Sequence, residues 1–157
     1  MKVGIFEYVA GGGIKEVMSG NMLCEGYSML KSAIEDFQSA GYEVTTLLDS
    51  RLTKLKEHTH AEKIEIVSAQ DNISNVLHKM LKTVDLSLII APETGGTLSN
   101  LVQIARSNTI SLNSTPESID LVSNKAKLAE ILSRKGFPIP KTYCLKNGDG
   151  IEEIERV

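Results

Sequence analysis

Apolar positions along this chain follow two alternating patterns. Short apolar runs, typical of buried strands, occupy residues 2–9, 42–49, 63–67, 84–93 and 109–113, and residues 141–146 would form a sixth strand. Between the first two runs, apolar residues recur every three or four positions from Leu23 to Phe37, which predicts an amphipathic helix stopped by Gly41. The same spacing predicts four more helices, at Ile73 to Leu81, Thr97 to Arg106, Pro116 to Val122 and Lys125 to Lys135.

Strands that alternate with helices predict an α/β fold, with a Rossmann-like parallel sheet and helices on both faces. Right-handed crossovers bring the carboxyl ends of all strands to one edge, and ligands of such sheets bind beyond that edge. Two glycine-rich segments should therefore lie on the same edge. One is "AGGG" after the first strand, and the other is "PETGG" after the fourth.

The composition limits the kinds of molecule that the protein would bind and the compartment in which it would work. The chain has 157 residues, a net charge of -3, 4% aromatic residues and no tryptophan, which argues against nucleic acid as the main partner. No apolar stretch reaches the ~20 residues of a membrane-spanning helix. Cys24 and Cys144 lie far apart and have no metal or redox spacing, so we expect reduced thiols and a cytoplasmic protein.

The glycine loop at Gly11, Gly12 and Gly13 has three interpretations. A dinucleotide fingerprint would need a third glycine where Glu16 stands, and a P-loop would need a Gly-Lys-Ser/Thr sequence that is missing here. A flexible turn without a ligand is the second interpretation. In the third, the loop offers a backbone surface to a small substrate, because peptide N–H groups can bind a carboxylate or a phosphate.

The "PETGG" segment combines an acid and a threonine with two glycines. Glu93 and Thr94 could simply cap the helix that follows, which is the structural alternative. The first strand also carries an acid near its end, Glu7, so two acids and two glycine-rich loops are predicted on one edge of the sheet. That combination favours a polar pocket.

The segment from 114 to 143 resembles the junction of ATP-grasp enzymes, where a Rossmann-like pre-ATP-grasp domain meets the ATP-binding part. The pattern consists of Asn124-Lys125, an apolar helix, the sequence "GFPIP" at 136–140 and then Thr142. The resemblance implies a pre-ATP-grasp domain at 1–122 and the beginning of an incomplete ATP-grasp domain at 123–157. The segments "IFEYVAGGG", "EGYSML" and "IIAPETGG" resemble an archaeal-type branch that includes tyramine–glutamate ligases of methanofuran biosynthesis.

The resemblance implies an ATP-dependent ligase that joins a carboxylate to an amine through an acyl phosphate. Lys125 corresponds to the first ATP-contacting lysine of the family, although Asn124 replaces the usual aspartate, and an exposed first-turn lysine is the alternative. ATP and Mg²⁺ are the implied cofactors, with the magnesium ligands expected beyond residue 157. The substrate-facing residues implied for the first domain are Glu7, Gly11, Gly12, Gly13, Glu93, Thr94, Gly95 and Gly96, and Glu7 and Glu93 would meet an ammonium group.

The implied partners are a small amino-acid-like carboxylate and an amine, with no membrane or nucleic acid, and a homodimer is an alternative to a monomer. We expect the chain alone to be inactive as a ligase, because most of the phosphate-binding groups would lie elsewhere. Two other interpretations stay open. One is a stand-alone Rossmann-like module that binds a nucleotide or metabolite without catalysis, and the other is a dehydrogenase-type cofactor domain.

Overall fold

The computed structural model describes residues 1–143 and shows an α/β fold built on a five-stranded parallel sheet. The predicted fold class is thereby confirmed. The strand order is β3-β2-β1-β4-β5. The strands are β1 (Lys2–Glu7), β2 (Glu43–Asp49), β3 (Lys63–Val67), β4 (Leu86–Ile90) and β5 (Ile110–Ser111).

Helices cover both faces of the sheet because the central strands are apolar on both sides. On β1, Val3 and Ile5 point to one face, where they pack with Leu30 and Ile34 of the first helix. Phe6 points to the opposite face, into a second apolar cluster. Burial of both faces explains why β1 appears in the sequence as a continuous apolar run instead of an alternating one.

Helix α1 (Gly20–Ser39) joins β1 to β2 and lies on one face of the sheet. The Ser19 side chain caps its first turn by accepting a hydrogen bond from the Met22 N–H. The predicted stop is confirmed, because Gly41 follows the helix with a positive φ of 85°.

The remaining helices begin and end close to the predicted residues. They are α2 (Ile73–Leu81), α3 (Thr97–Arg106), α4 (Pro116–Ser123) and α5 (Lys125–Arg134). Helices α2 and α3 contribute apolar residues to the cluster around Phe6, on the face opposite α1. Two elements were not predicted, a 3₁₀ helix from Ser50 to His58 that follows β2 and a short 3₁₀ turn from Thr94 to Gly96 that precedes α3.

The carboxyl-terminal part of the chain is described only in part. Lys141, Thr142 and Tyr143 are not in a strand, and the rest of the predicted sixth strand lies outside the described residues. The chain divides into two compact units, of which the second begins at Asp120. The assignment of that second unit to an ATP-grasp domain stays a prediction. Within residues 1–143, no helix is long and apolar enough to cross a membrane.

The order of the strands fixes where a ligand would bind. From β1 the chain moves outward to β2 and β3, and then it returns across the sheet to β4 on the other side of β1. The crossovers from β1 and from β4 therefore run in opposite directions. In open α/β sheets the crevice beyond such a pair of strands is the usual ligand-binding position.

Candidate functional site

A cavity of about 360 Å³ lies at the carboxyl ends of β1 and β4. Its walls come from the end of β1 with the loop that follows it, the amino-terminal half of α1, and the end of β4 with the residues that follow it. The two strands are paired up to this point, because Glu7 lies beside Ile90 and the Tyr8 N–H donates to the Ile90 carbonyl at 2.8 Å. The cavity therefore occupies the crevice that the strand order predicts.

Apolar side chains form most of the cavity wall. Val9 and Ile14 contribute from the loop after β1, Met22 and Met29 from α1, and Ile90 from β4. Glu7 and Glu25 are the charged residues among the described lining residues, and no lysine or arginine in that part of the chain joins them. The cavity thus combines an apolar body with two carboxylates, and its volume suits a small molecule.

The carboxylate of Glu7 is buried, with 2% of the residue exposed. One oxygen accepts from the Val9 N–H at 3.1 Å, and the other accepts from the Ala10 N–H at 2.6 Å. Burial raises the pKa of Glu7, the two backbone hydrogen bonds lower it in part, and the negative charge of Glu25 raises it further. Each carboxylate oxygen can accept two hydrogen bonds, and these two backbone contacts use one acceptor position on each.

Helix α1 approaches Glu7 closely at Gly26. A Cβ atom at this position would lie 2.6 Å from a Glu7 carboxylate oxygen and 2.9 Å from the Val9 Cβ. Any larger residue would have to displace the acid or the loop. Gly26 is therefore the contact that lets the helix form one side of the cavity while Glu7 forms the floor.

The glycine loop after β1 folds tightly against its own strand. The Gly11 N–H donates to the Glu7 carbonyl and the Gly13 N–H donates to the Tyr8 carbonyl, both at 2.8 Å. Gly12 has a φ of 87°, and a Cβ there would lie 2.9 Å from the Val67 side chain. Gly12 thus lies at the ends of β2 and β3, whereas Gly11 and Gly13 pack against Phe6 and Tyr8, and none of the three lines the cavity. Their predicted contact with substrate stays a prediction.

A second acid, Asp49, holds the loop in place at the end of β2. Arg51 donates to both Asp49 carboxylate oxygens, and its guanidinium also donates to the Ile14 carbonyl at 2.6 Å and the Glu16 carbonyl at 2.8 Å. Burial acts to raise the pKa of Asp49, but its hydrogen bonds and charge interaction with Arg51 together lower it below the ordinary value. This ion pair anchors the wall residue Ile14.

The segment from Glu93 to Gly96 follows β4 at the same edge of the sheet. Thr94–Gly96 form one 3₁₀ turn, and both Gly95 and Gly96 have a positive φ. Helix α3 begins directly after Gly96, so a glycine holds the capping position that the alternative gave to Glu93 or Thr94. The described cavity wall ends at Pro92, so this segment borders the cavity in sequence without lining it.

Lys125 begins helix α5 in the second unit of the chain. The Asn124 side chain caps this helix by accepting from the Lys127 N–H at 3.0 Å, and the Lys125 ammonium donates to the Val122 carbonyl at 3.3 Å. A single exposed lysine fits a contact with a phosphate but does not make a nucleotide site. Within residues 1–143 no group of three acidic, histidine or cysteine residues could hold a metal ion, so the described residues do not form a magnesium site.

Among the described lining residues, Glu7 was the one predicted as a site residue, and the two most informative residues that the sequence analysis missed are Glu25 and Gly26. Glu25 is exposed on an amphipathic helix and resembles any other solvated acid. Gly26 offered a signal, because a glycine inside a helical pattern often marks a close approach of the backbone to another element. Its partner, Glu7, could not be inferred without the three-dimensional packing.

Two comparisons with known proteins bear on the fold. Residues 42–119 match the pre ATP-grasp 3 domain. The fold also matches the crystal structure of a protein from Archaeoglobus fulgidus assigned to the ATP-grasp superfamily, with a TM-score of 0.72 and 27% sequence identity. Both matches support the ATP-grasp superfamily.

The match to the Archaeoglobus protein covers 90% of this chain but 42% of that protein. The chain therefore spans less than half the length of its structural relative. A sequence search among curated proteins found no match. The comparisons accordingly support the ATP-grasp superfamily, and they leave the activity and the substrates open.

Proposed function

We propose that this chain is the amino-terminal, substrate-binding part of an ATP-dependent carboxylate–amine ligase. The observation that carries the proposal is the cavity at the carboxyl ends of β1 and β4. In a pre-ATP-grasp domain this cavity would hold a small substrate. Such ligases form an amide from a carboxylate and an amine, with ATP supplying the phosphoryl group of an acyl phosphate. In this proposal the chain's own contribution is to bind and orient a substrate in that cavity.

The finer proposal is a tyramine–glutamate ligase-like reaction, with a small amino-acid-like carboxylate and an amine as the two substrates. Its support is the resemblance of the segments around Glu7 and Glu93 to that branch, together with the acids in the cavity. Lys125 would contact a phosphate of ATP from the start of α5. Its place at a helix amino terminus agrees with this role, because an anion bound there would offset the unfavourable helix dipole.

The test is an assay of the protein expressed from its complete coding sequence. We expect phosphate release that requires ATP, a carboxylate and an amine together, with the amide product detected by mass spectrometry. Lys125→Ala should lower the rate at least tenfold, whereas Lys135→Ala, at the other end of α5, should leave it unchanged. ATP-independent turnover, or equal rates in the two variants, would contradict the proposal.

A binding module without catalysis is the second candidate. The observation that favours it is that every described wall of the cavity comes from residues 7–92, inside the first compact unit. The protein expressed from the complete coding sequence would then bind a metabolite but release no phosphate from ATP with any pair of carboxylate and amine. That result would support this candidate over the ligase.

A further inference from the structure

The charge and shape of the cavity identify the chemical class of its ligand. Apolar side chains form the body of the cavity, and the charged groups among its described lining residues are the carboxylates of Glu7 and Glu25. A carboxylate or phosphate placed here would face two acids and no basic side chain from that part of the chain. A cation on an apolar body would match both features.

We propose that the cavity holds the amine substrate, as a primary ammonium group on a small apolar body, with the ammonium between Glu7 and Glu25. The reaction of this amine rests on the proposed ligase function. The binding of the amine is argued from the cavity alone. It assigns the carboxylate substrate to another part of the protein.

The geometry at Glu7 explains how the ammonium is oriented. The Val9 and Ala10 N–H groups fix both carboxylate oxygens, so the acid cannot turn away from the cavity. Gly26 leaves no side chain between the helix and the acid. An ammonium group has three N–H donors, which is enough to donate to both of the carboxylates that line the cavity.

The apolar part of the ligand would lie toward Met22 and Met29. These residues are 44% and 40% exposed on the helix that borders the cavity. Methionine is flexible and polarisable, so the pair can adapt its packing to a flat or a branched apolar group. Ile90 supplies the opposite wall.

The experiment is a titration of the ¹⁵N-labelled chain with benzylamine at neutral pH, followed by ¹H–¹⁵N spectra. Three matched probes keep the aromatic body and change the charge: benzyl alcohol, phenylacetate and phenylalanine. We expect benzylamine to shift the amides of Gly26 and Ala91 saturably, and the other three probes to bind these positions at least ten times more weakly. Saturable binding of phenylacetate there, or no saturable shift with benzylamine, would overturn the assignment.

A pair of variants on α1 tests the role of the second acid. Glu25→Gln should weaken benzylamine binding about tenfold, because it removes one charge-assisted contact. Glu35→Gln, which removes an exposed acid paired with Lys31 on the same helix, should leave binding unchanged. Unaltered binding in Glu25→Gln, or an equal loss in both variants, would overturn the proposed contact. Glu7 is left intact because its carboxylate also holds the loop.

The outcome separates this inference from the proposed function. If the complete protein forms an amide but benzylamine does not bind this cavity, the ligase stands and the assignment of the amine fails. If benzylamine binds as expected but no carboxylate and amine pair supports phosphate release, the assignment stands and the ligase fails.

Discussion

Glu7 and Asp49 occupy equivalent positions in the fold but different electrostatic environments. Each is the last residue of its strand, and the two strands are neighbours in the sheet. Each is buried, and each accepts a backbone N–H from the residue two positions later. Asp49 also binds a guanidinium, whereas the neighbouring charge that acts on Glu7 is the carboxylate of Glu25.

This difference separates a structural acid from a candidate binding acid. The pKa of Asp49 is lowered by Arg51, so the aspartate is ionised and its hydrogen bonds hold the loop. The pKa of Glu7 is raised, mainly by burial, so a cationic ligand would supply a positive charge that the described lining residues of the cavity lack. Perturbed acids cluster at functional sites, and here the partner of each acid indicates its role.

The largest effect is expected from Gly26→Ala, which attacks the Glu7 side of the comparison. The added Cβ would meet the Glu7 carboxylate and Val9 at less than 3.0 Å, so the free energy of unfolding should fall by about 2 kcal/mol. Urea denaturation measures it. The matched control is Gly20→Ala on the same helix, where nothing lies within 4 Å, and its stability should not fall. Equal losses in the two variants would mean that the contact with Glu7 is unimportant.

Arg51→Ala should convert Asp49 into an acid that resembles Glu7. Removing the guanidinium leaves a buried carboxylate without its cation and frees the Ile14 and Glu16 carbonyls. Because Arg51 is partly exposed, solvent would moderate the cost, and we expect a loss of about 1 kcal/mol in thermal or urea unfolding. The control is Arg106→Ala, which removes an exposed arginine. If Arg106→Ala lowers the stability as much as Arg51→Ala does, the interactions of Arg51 with Asp49 and the loop add nothing to stability.

The two acids should also have opposite effects on the dependence of stability on pH. The Asp49 pKa is lowered from its ordinary 3.8, so its stabilisation is present above that pH and disappears as pH falls through the lower folded-state value. We therefore expect Asp49→Asn to be less stable than the wild type at neutral pH and to approach it in acid. A stability difference that does not change with pH would argue against the ion pair.

Glu7→Gln should show the reverse trend. The Glu7 pKa is raised from its ordinary 4.5, so the stability linked to its protonation is present below that pH and is lost as pH rises through the higher folded-state value. The variant lacks this loss, so its stability relative to the wild type should improve as pH rises from acid to neutral. The slope of the unfolding free energy against pH is compared, so a pH-independent loss of stability caused by the amide side chain does not affect the result. A relative decline over that range would contradict the raised pKa.

The sequence predicted most of the fold because its apolar periods are regular. Strand β3 and helix α3 were predicted at the residues where the structure has them. The 3₁₀ helix from Ser50 to His58 was missed, since Leu52 and Leu55 alone give it no amphipathic period and its other residues are polar. Short 3₁₀ segments depend on local packing more than on pattern.

The candidate site was less predictable because it depends on packing between elements. The sequence placed Glu7 at the end of β1, but nothing in it showed that Gly26 would lie against that acid. The glycine loop was conspicuous in the sequence, yet Gly12 packs against Val67 instead of lining the cavity. A run of glycines indicates a close approach of the backbone, and only the fold shows whether a ligand or the protein itself is approached.

The exposed methionines of α1 have a consequence for how specificity would evolve. Met22 and Met29 lie one turn before and one turn after Gly26 on the face of α1 that borders the cavity, and both are partly exposed to solvent. Substitutions at these two positions would reshape the entrance without disturbing the sheet or the buried charge. Variants of this protein would therefore acquire new preferences for the hydrocarbon part of an amine and still recognise its nitrogen in the same way.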